Sequence, residues 1–404
     1  MSRIPRNRSI WVCFLLGFVL LLTGCQEPDQ TEEPRESQMS DQITGEESGQ
    51  EVEYFKLDQE LGEYQSWDVL MGDLDDDGSL DLFIASLGQN DPKIWLNDGS
   101  GNFLPAEEEI PGCARAAVGD VNGDGRLDII VAEYQPDKLL WSSLLSVWLN
   151  DGSGTFSSGE SLAVTEGVQR ILVGDLNADQ VMDLFVLGTG QNEVWINDGN
   201  GTFDYLAQDL PTGIDSAGGI GDLDGDGDLD ILAGGWDGPP AAWMNDGAGY
   251  FSKSEISITD ENLHIHGLAL GDLDSDGDLD AFVTLANRDP HQIWTNDGEG
   301  GFLFSQGLPA LLGHAVVLGD LDGDGDLDAA TGHGNQGRGY VRLWLNDGQA
   351  KFSDSSVMLG ENFTSALVLG DLDLDQDLDI VSAQSAWGEE IGPSDMIWIN
   401  LGPN

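Results

Sequence analysis

Positive charge is what this chain has least of. Its 404 residues hold 15 Lys and Arg against 74 Asp and Glu, for a formal net charge of −59. Such a surface repels phosphate, which excludes non-specific nucleic-acid binding; basic membrane-surface helices are excluded too. Cysteine is nearly missing, with only Cys13, Cys25 and Cys113, so no disulfide framework holds the protein together. Proline is modest at 14, and the apolar run from Ile10 to Leu22 is too short to cross a bilayer comfortably. Core material, by contrast, is ample. Hydrophobic residues make up 40%, with 12 Trp and 14 Phe, which argues against disorder. Glycine is abundant at 55, and many tight turns point to an all-β protein.

Residues 1–24 read as an export signal. Arg3, Arg6 and Arg8 precede the apolar run, which ends in Leu22-Thr23-Gly24-Cys25. That tetrapeptide resembles a bacterial lipobox, which implies lipidation of Cys25 and membrane attachment through it. Gln26, rather than Asp, follows the cysteine. The expected location is therefore the cell envelope, at the outer membrane or cell surface if the cell has one. Residues 25–51 are acidic and polar, with Pro28 and Pro34, and read as a flexible tether. Cys113 reads as a small buried hydrophobe.

Residues 52–404 are repetitive. The phrase Gly-Asp-Leu-Asp-x-Asp-Gly-x-Leu-Asp recurs with its first Asp at Asp73, Asp120, Asp175, Asp222, Asp272, Asp320 and Asp371. A second phrase, Trp-x-Asn-Asp-Gly, follows each, from Trp95 to Trp398, with Leu401 in place of the Asp in the last. Both markers count seven. Each unit reads as four short strands: one before the acidic loop, one after it, one carrying the Trp, and one after a tight Asp-Gly turn. Four strands in about 50 residues make one propeller blade. The last repeat stops at Asn400-Leu401-Gly402 without a fourth strand. Glu53–Leu61 is expected to supply it, closing a seven-bladed β-propeller.

The acidic loop has the spacing of a hard-cation site. In Asp222-Leu223-Asp224-Gly225-Asp226-Gly227-Asp228-Leu229-Asp230, oxygens at positions 1, 3, 5 and 9 and the position-7 carbonyl can surround one ion. Calcium takes six to eight oxygens in flexible geometry, whereas magnesium demands an octahedron. Gly at position 6 permits the sharp turn. Gln180 and Gln376 stand there in repeats three and seven, and Asn122 and Asn177 replace Asp at position 3 in repeats two and three. Up to seven calcium ions are expected, bound more weakly in blades three and seven, and weakest in blade three.

These loops and turns resemble the FG-GAP/VCBS repeat family, whose calcium-bearing propeller also heads integrin α chains. The resemblance covers about residues 52–402. It implies as metal ligands Asp73, Asp75, Asp77 and Asp81 in blade one, and Asp120, Asn122, Asp124 and Asp128 in blade two. In blades three and four it implies Asp175, Asn177, Asp179 and Asp183, then Asp222, Asp224, Asp226 and Asp230. Blades five and six match with Asp272, Asp274, Asp276 and Asp280, then Asp320, Asp322, Asp324 and Asp328. Blade seven matches with Asp371, Asp373, Asp375 and Asp379.

The opposite face carries the variable loops. Arg115, Arg170, His264, His266, His291, His314 and His333 fall in such loops or at their strand junctions, with Trp236 and Trp387 nearby. Variable loops on a rigid scaffold commonly carry recognition. These residues are the candidate ligand face, for an extracellular protein or glycan. His264, His266 and His314 alternatively suit a transition metal. The chain has no nucleophile elbow, Walker loop, dinucleotide fingerprint or HExxH, which favours binding over catalysis. The competing readings are a polysaccharide lyase of the same repeat family and a purely structural envelope component.

Overall fold

The computed structural model describes residues 43–44, 52–59, 61–62, 65–87, 93–106, 110–134, 143–165, 167–210, 215–236, 239–254, 263–286, 289–335, 338–385 and 394–402. The export signal, most of the tether, and Trp387 lie outside them. Every regular element among the described residues is a β-strand. Six four-stranded antiparallel sheets and one five-stranded sheet make the seven expected blades.

Blade one shows the plan. Its strands are Ser66–Gly72, Asp81–Ser86, Ile94–Asn97 and Phe103–Pro105, paired in sequence order. The second strand is buried along its whole length. Side chains alternate along a strand, so Leu82 and Ile84 face blade seven while Phe83 and Ala85 face blade two. The same alternation in blade two sends Ile129 and Val131 back to blade one and Ile130 and Ala132 on to blade three. The core is thus seven separate apolar layers, each between successive blades.

Two further contacts knit blade to blade. The glycine before each acidic loop leaves a notch for the position-8 leucine of the next blade. A Cβ on Gly72 would lie 2.5 Å from Leu127 Cδ1, and Gly370 likewise receives Leu80, across the closure of the ring. Blade three departs from the pattern: Met182 holds position 8 and is 39% exposed, and Gly119 meets Val173 instead.

The second contact is the asparagine of each Trp-x-Asn phrase. Asn150 Nδ2 donates to Leu74 O of blade one at 2.9 Å and to Leu127 O of its own loop at 3.1 Å. The series runs round the ring and closes with Asn97 Nδ2 on Leu372 O at 2.8 Å. These amides satisfy loop carbonyls that would otherwise be buried unpaired.

The N-terminal strand Glu53–Lys56 pairs antiparallel with Met396–Asn400, Phe55 opposite Ile399, and so completes blade seven as expected. Ile43–Thr44 adds a fifth strand outside it. The Asn-Asp-Gly connection differs from the expected two-residue turn. Asn97 pairs with Phe103, so five residues bridge the strands, with Gly99 and Gly101 both left-handed at φ 77° and 75°. The second glycine fits a close approach: Gly101 N donates to Leu372 O of blade seven at 3.1 Å.

Candidate metal centres and the opposite face

Each acidic loop joins the first and second strands of its blade, so all seven lie on one face of the ring. In blade four, Asp222 folds the loop around itself. Its two oxygens accept from Gly225 N at 2.8 Å and Gly227 N at 3.1 Å. Asp226 Oδ1 accepts from Asp228 N at 3.0 Å. Asp230, at position 9, is buried and spends one lone pair of each oxygen on the backbone. Oδ2 accepts from Leu223 N at 3.0 Å and Oδ1 from Asn245 N at 2.8 Å. The same pair of bonds recurs at Asp81, Asp128, Asp183, Asp280, Asp328 and Asp379. Position 9 is therefore a tie between the loop and the third strand as well as a candidate ligand. Spacing alone did not reveal that second role.

Carboxylates converge in five loops. Asp73, Asp75 and Asp81 offer oxygens within 4.8 Å of one another, as do Asp222, Asp224 and Asp230; Asp320, Asp322 and Asp328; and Asp371, Asp373 and Asp379. In blade five the group is Asp272, Asp274 and Asp276. Burial raises the position-9 carboxyls, opposed by their backbone hydrogen bonds, to about 6 in Asp81, Asp128, Asp183, Asp230 and Asp280 and about 7 in Asp328 and Asp379. Asp75, Asp224, Asp274, Asp322 and Asp373 are raised too, by burial first and then by the neighbouring position-5 carboxylate.

The donor set fits a hard cation. Asp274 Oδ1 and Asp373 Oδ1 are sealed from solvent without a hydrogen-bond donor, a state that a bound cation would relieve. The converging groups hold only carboxylates, with neither thiol nor imidazole, which suits calcium better than a soft metal.

The loops are not equal. Positions 4 and 6 both adopt left-handed backbone, although only position 6 stood out in the sequence. Blade four has Gly225 and Gly227 there, at φ 76° and 95°. Blade three has Ala178 and Gln180 at 60° and 71°, and blade seven has Leu374 and Gln376 at 63° and 81°. Left-handed backbone costs a side-chain-bearing residue about 1–2 kcal/mol. Replacing Gln180 by Gly is expected to stabilise the protein by about 1 kcal/mol, part of the relief being offset by glycine's entropy. Urea unfolding checks this, and a lowered midpoint would refute the strain. In blade three, moreover, Asn177 Nδ2 donates to Asp179 Oδ2 at 2.9 Å, occupying a would-be ligand. Blade seven keeps its three carboxylates together, so its expected weakness rests on the backbone alone.

Blade two holds a residue the sequence reading passed over. Arg126, at position 7, lies 3.6 Å from Asp124 and 3.3 Å from Asp76 of blade one. It is the one Lys or Arg within the seven loops, and that was the available signal. Its guanidinium offsets charge that a cation would otherwise neutralise.

The opposite face surrounds the mouth of a central channel of about 360 Å³, whose wall includes Arg115, Arg170, His266 and His314. Much of this polar rim is engaged in holding blades together. Arg115 donates to Gln169 O of blade three at 2.7 Å and to Trp67 O of blade one at 3.1 Å. Ser216 donates to Ile265 O at 2.7 Å and Ser365 to Ser66 O at 2.7 Å. His314 Nε2 donates to Gly334 O at 3.0 Å, which leaves its Nδ1 to accept from His266 Nδ1, 2.9 Å away. Burial pushes His266 down to about 3, so the pair is neutral. Trp236 packs at a tilt against His266 and His264, with centroids 4.7 and 5.6 Å apart, and is 39% exposed. Arg170 is 42% exposed and reaches the buried Asp68 only at 3.9 Å.

His291 and His333 lie towards that face but beneath its surface rather than in exposed loops. Both are buried within strands, of blades five and six, and stack at 5.3 Å. Leu285 N donates to His291 Nδ1 at 3.2 Å, and His333 Nε2 meets Thr331 Oγ1 at 2.8 Å.

A family model described as FG-GAP-like repeat matches residues 73–131, 120–186, 175–221 and 222–283. No curated protein matches. Among solved structures, a lectin of Agrocybe aegerita, described for specific recognition of non-reducing terminal N-acetylglucosamine, superposes with a TM-score of 0.53 at 16% identity. The match covers 89% of this chain and 94% of the lectin. BBS1N, solved in complex with ARL6DN, gives a TM-score of 0.55 at 14% identity, covering 89% of this chain and 97% of that one. At such identities the likeness is one of fold.

Proposed function

The chain belongs to the FG-GAP-like repeat family, and from that premise we propose that it is a calcium-loaded propeller, lipid-anchored in a bacterial envelope through Cys25, that binds an extracellular protein or glycan. The observation that carries the metal reading is the pair of buried, donorless oxygens on Asp274 and Asp373. Each lies inside a carboxylate group whose charges repel when no cation is bound. Calcium acts here on stability and shape. The position-9 carboxylates hold the loop to the third strand, and the ion would draw the outer carboxylates onto that frame.

Ligand binding is assigned to the face away from the loops. That face keeps a half-exposed Arg170 and an exposed Trp236 in a chain otherwise rich in negative charge. Arg and Trp are common anchors of recognition surfaces. The N-acetylglucosamine-binding lectin of like fold is a precedent for a glycan ligand.

The test uses the chain from Gln26 onward, applied to a glycan array and used as bait for envelope and host-surface proteins, with calcium and then with chelator. Saturable binding that chelator abolishes is expected. Binding that survives full calcium removal would overturn the calcium requirement, and absence of any ligand in both formats would leave a structural component as the better reading.

A further inference from the structure

Blade six differs from its neighbours in reach. Its second and third strands, Asp328–Asn335 and Arg338–Asn346, stay paired out to Asn335 opposite Arg338. The corresponding pairing in blade five ends at Val283 opposite Gln292, and in blade seven at Ser382 opposite Met396. The longer hairpin projects on the face away from the acidic loops. Beside it lies a cavity of about 400 Å³ that shares no lining residue with the channel and is within the size range of small-ligand sites.

The walls combine three kinds of chemistry. Leu311 and Leu312 supply an apolar side. Tyr340 supplies an aromatic ring, backed by His333 at 5.1 Å between centroids. Arg338 and Glu361, both exposed, place a guanidinium and a carboxylate on the same cavity. His333 is 2% exposed and serves as backing to the ring of Tyr340.

Backbone bonds hold these walls in place. Gly334 N donates to Leu312 O at 3.1 Å and Gly339 N to Glu361 O at 3.2 Å, so hairpin, strand entry and the blade-seven approach are tied together. Gly339 lies so close to His333 O and Asn362 O that no side chain fits there. A cleft fixed in this way costs little further ordering when a ligand enters.

We propose that this cleft is a subsite for one neutral pyranose residue of a glycan, with the sugar's apolar face on Tyr340 and its hydroxyls shared between Arg338 and Glu361. An anionic ligand would gain from Arg338 and be opposed by Glu361; a cation meets the reverse. A neutral polyol satisfies both, since each hydroxyl donates to a carboxylate and accepts from a guanidinium. An apolar ligand would leave two charged groups without partners. The proposal rests on the glycan-binding reading above, and names where on that face the sugar sits.

The test measures binding of methyl glycosides of neutral hexoses and N-acetylhexosamines, and of the corresponding uronates, to the calcium-loaded chain by calorimetry. Tyr340→Ala, Arg338→Ala and Glu361→Gln are compared with Arg170→Ala at the channel mouth. These positions are exposed or half-exposed, and unchanged melting temperatures confirm intact folding. The expected result is binding of a neutral glycoside that each cleft variant weakens about tenfold or more and Arg170→Ala leaves within about twofold. Neutral-sugar binding lost only in Arg170→Ala, or a preference for uronates, overturns the cleft assignment and leaves glycan binding intact. Absence of glycan binding alongside capture of a protein ligand also overturns it while the broader function stands. Failure of both formats removes both readings.

Discussion

Chelation of the purified protein is expected to lower its melting temperature by on the order of 20 °C or more. A site saturated about a hundredfold above its dissociation constant contributes about 2.7 kcal/mol. Several such sites act on a fold whose melting point moves by about 2 °C per kcal/mol. The effect of pH should also reverse between the two states. In the metal-free fold the position-9 carboxyls sit at about 6 to 7, above the ordinary carboxylate value of 3.8, because burial disfavours their charge. A raised acid favours folding when protonated. Its contribution is fully present below the unfolded value and is lost as pH rises through 6 and 7. Chelated protein should therefore melt higher at pH 5 than at pH 8. Calcium-loaded protein should do the opposite, because protons compete with the ion for the same oxygens. Calorimetric scans at both pH values, with calcium and with chelator, check the pair. Indistinguishable scans with and without calcium would remove the metal from the account.

The second large effect separates fold from metal within one loop. At pH 8 in chelator, Asp230→Asn is expected to cost about 3 kcal/mol, read from urea unfolding. Asp230 accepts from two backbone amides, Leu223 N and Asn245 N, one on each oxygen. An amide has one acceptor oxygen, so its NH2 would be forced against the other N–H. Asp226→Asn touches only an exposed loop bond to Asp228 N and should stay within about 0.5 kcal/mol of the parent in chelator. Both variants should lose one calcium when metal is restored. Equal destabilisation by the two in chelator would sink the tie assigned to position 9.

Much of this architecture is legible in the sequence because two markers, the acidic loop and the Trp-x-Asn phrase, recur in step. They fix blade number, loop placement and the closing role of Glu53–Lys56. What escaped was the use of individual lone pairs. Spacing places Asp230 near a cation but does not disclose that Asn245 N already holds one oxygen. Arg115 and His314 stood out as scarce nitrogen on a binding face. Their partners, the carbonyls of Gln169, Trp67 and Gly334, carry no signature in side-chain composition. His291 and His333 looked exposed because their segments are polar. His333 lies inside the extended strand pairing of blade six, and His291 of blade five is buried with its ring stacked on it. The left-handed position 4 was legible in Gly123, Gly225 and Gly323, but Asp76, Ala178, Ser275 and Leu374 obscured it.

The joining of Glu53–Lys56 to Met396–Asn400 has a kinetic consequence. A strand made before blade one pairs with the third strand of blade seven. Six interfaces between successive blades can assemble as the polypeptide emerges, but the seventh waits until Met396–Asn400 has been made. Meanwhile the blade-one surface of Leu82, Ile84 and Trp95 and the blade-seven surface of Val381 and Ile397 have no cover. Bringing such distant segments together makes for slow folding, and uncovered apolar strands invite wrong pairings. A ring closed in this way stays vulnerable to aggregation until Met396–Asn400 is in place, and a strong negative charge along the growing chain is one way to keep unfinished copies apart.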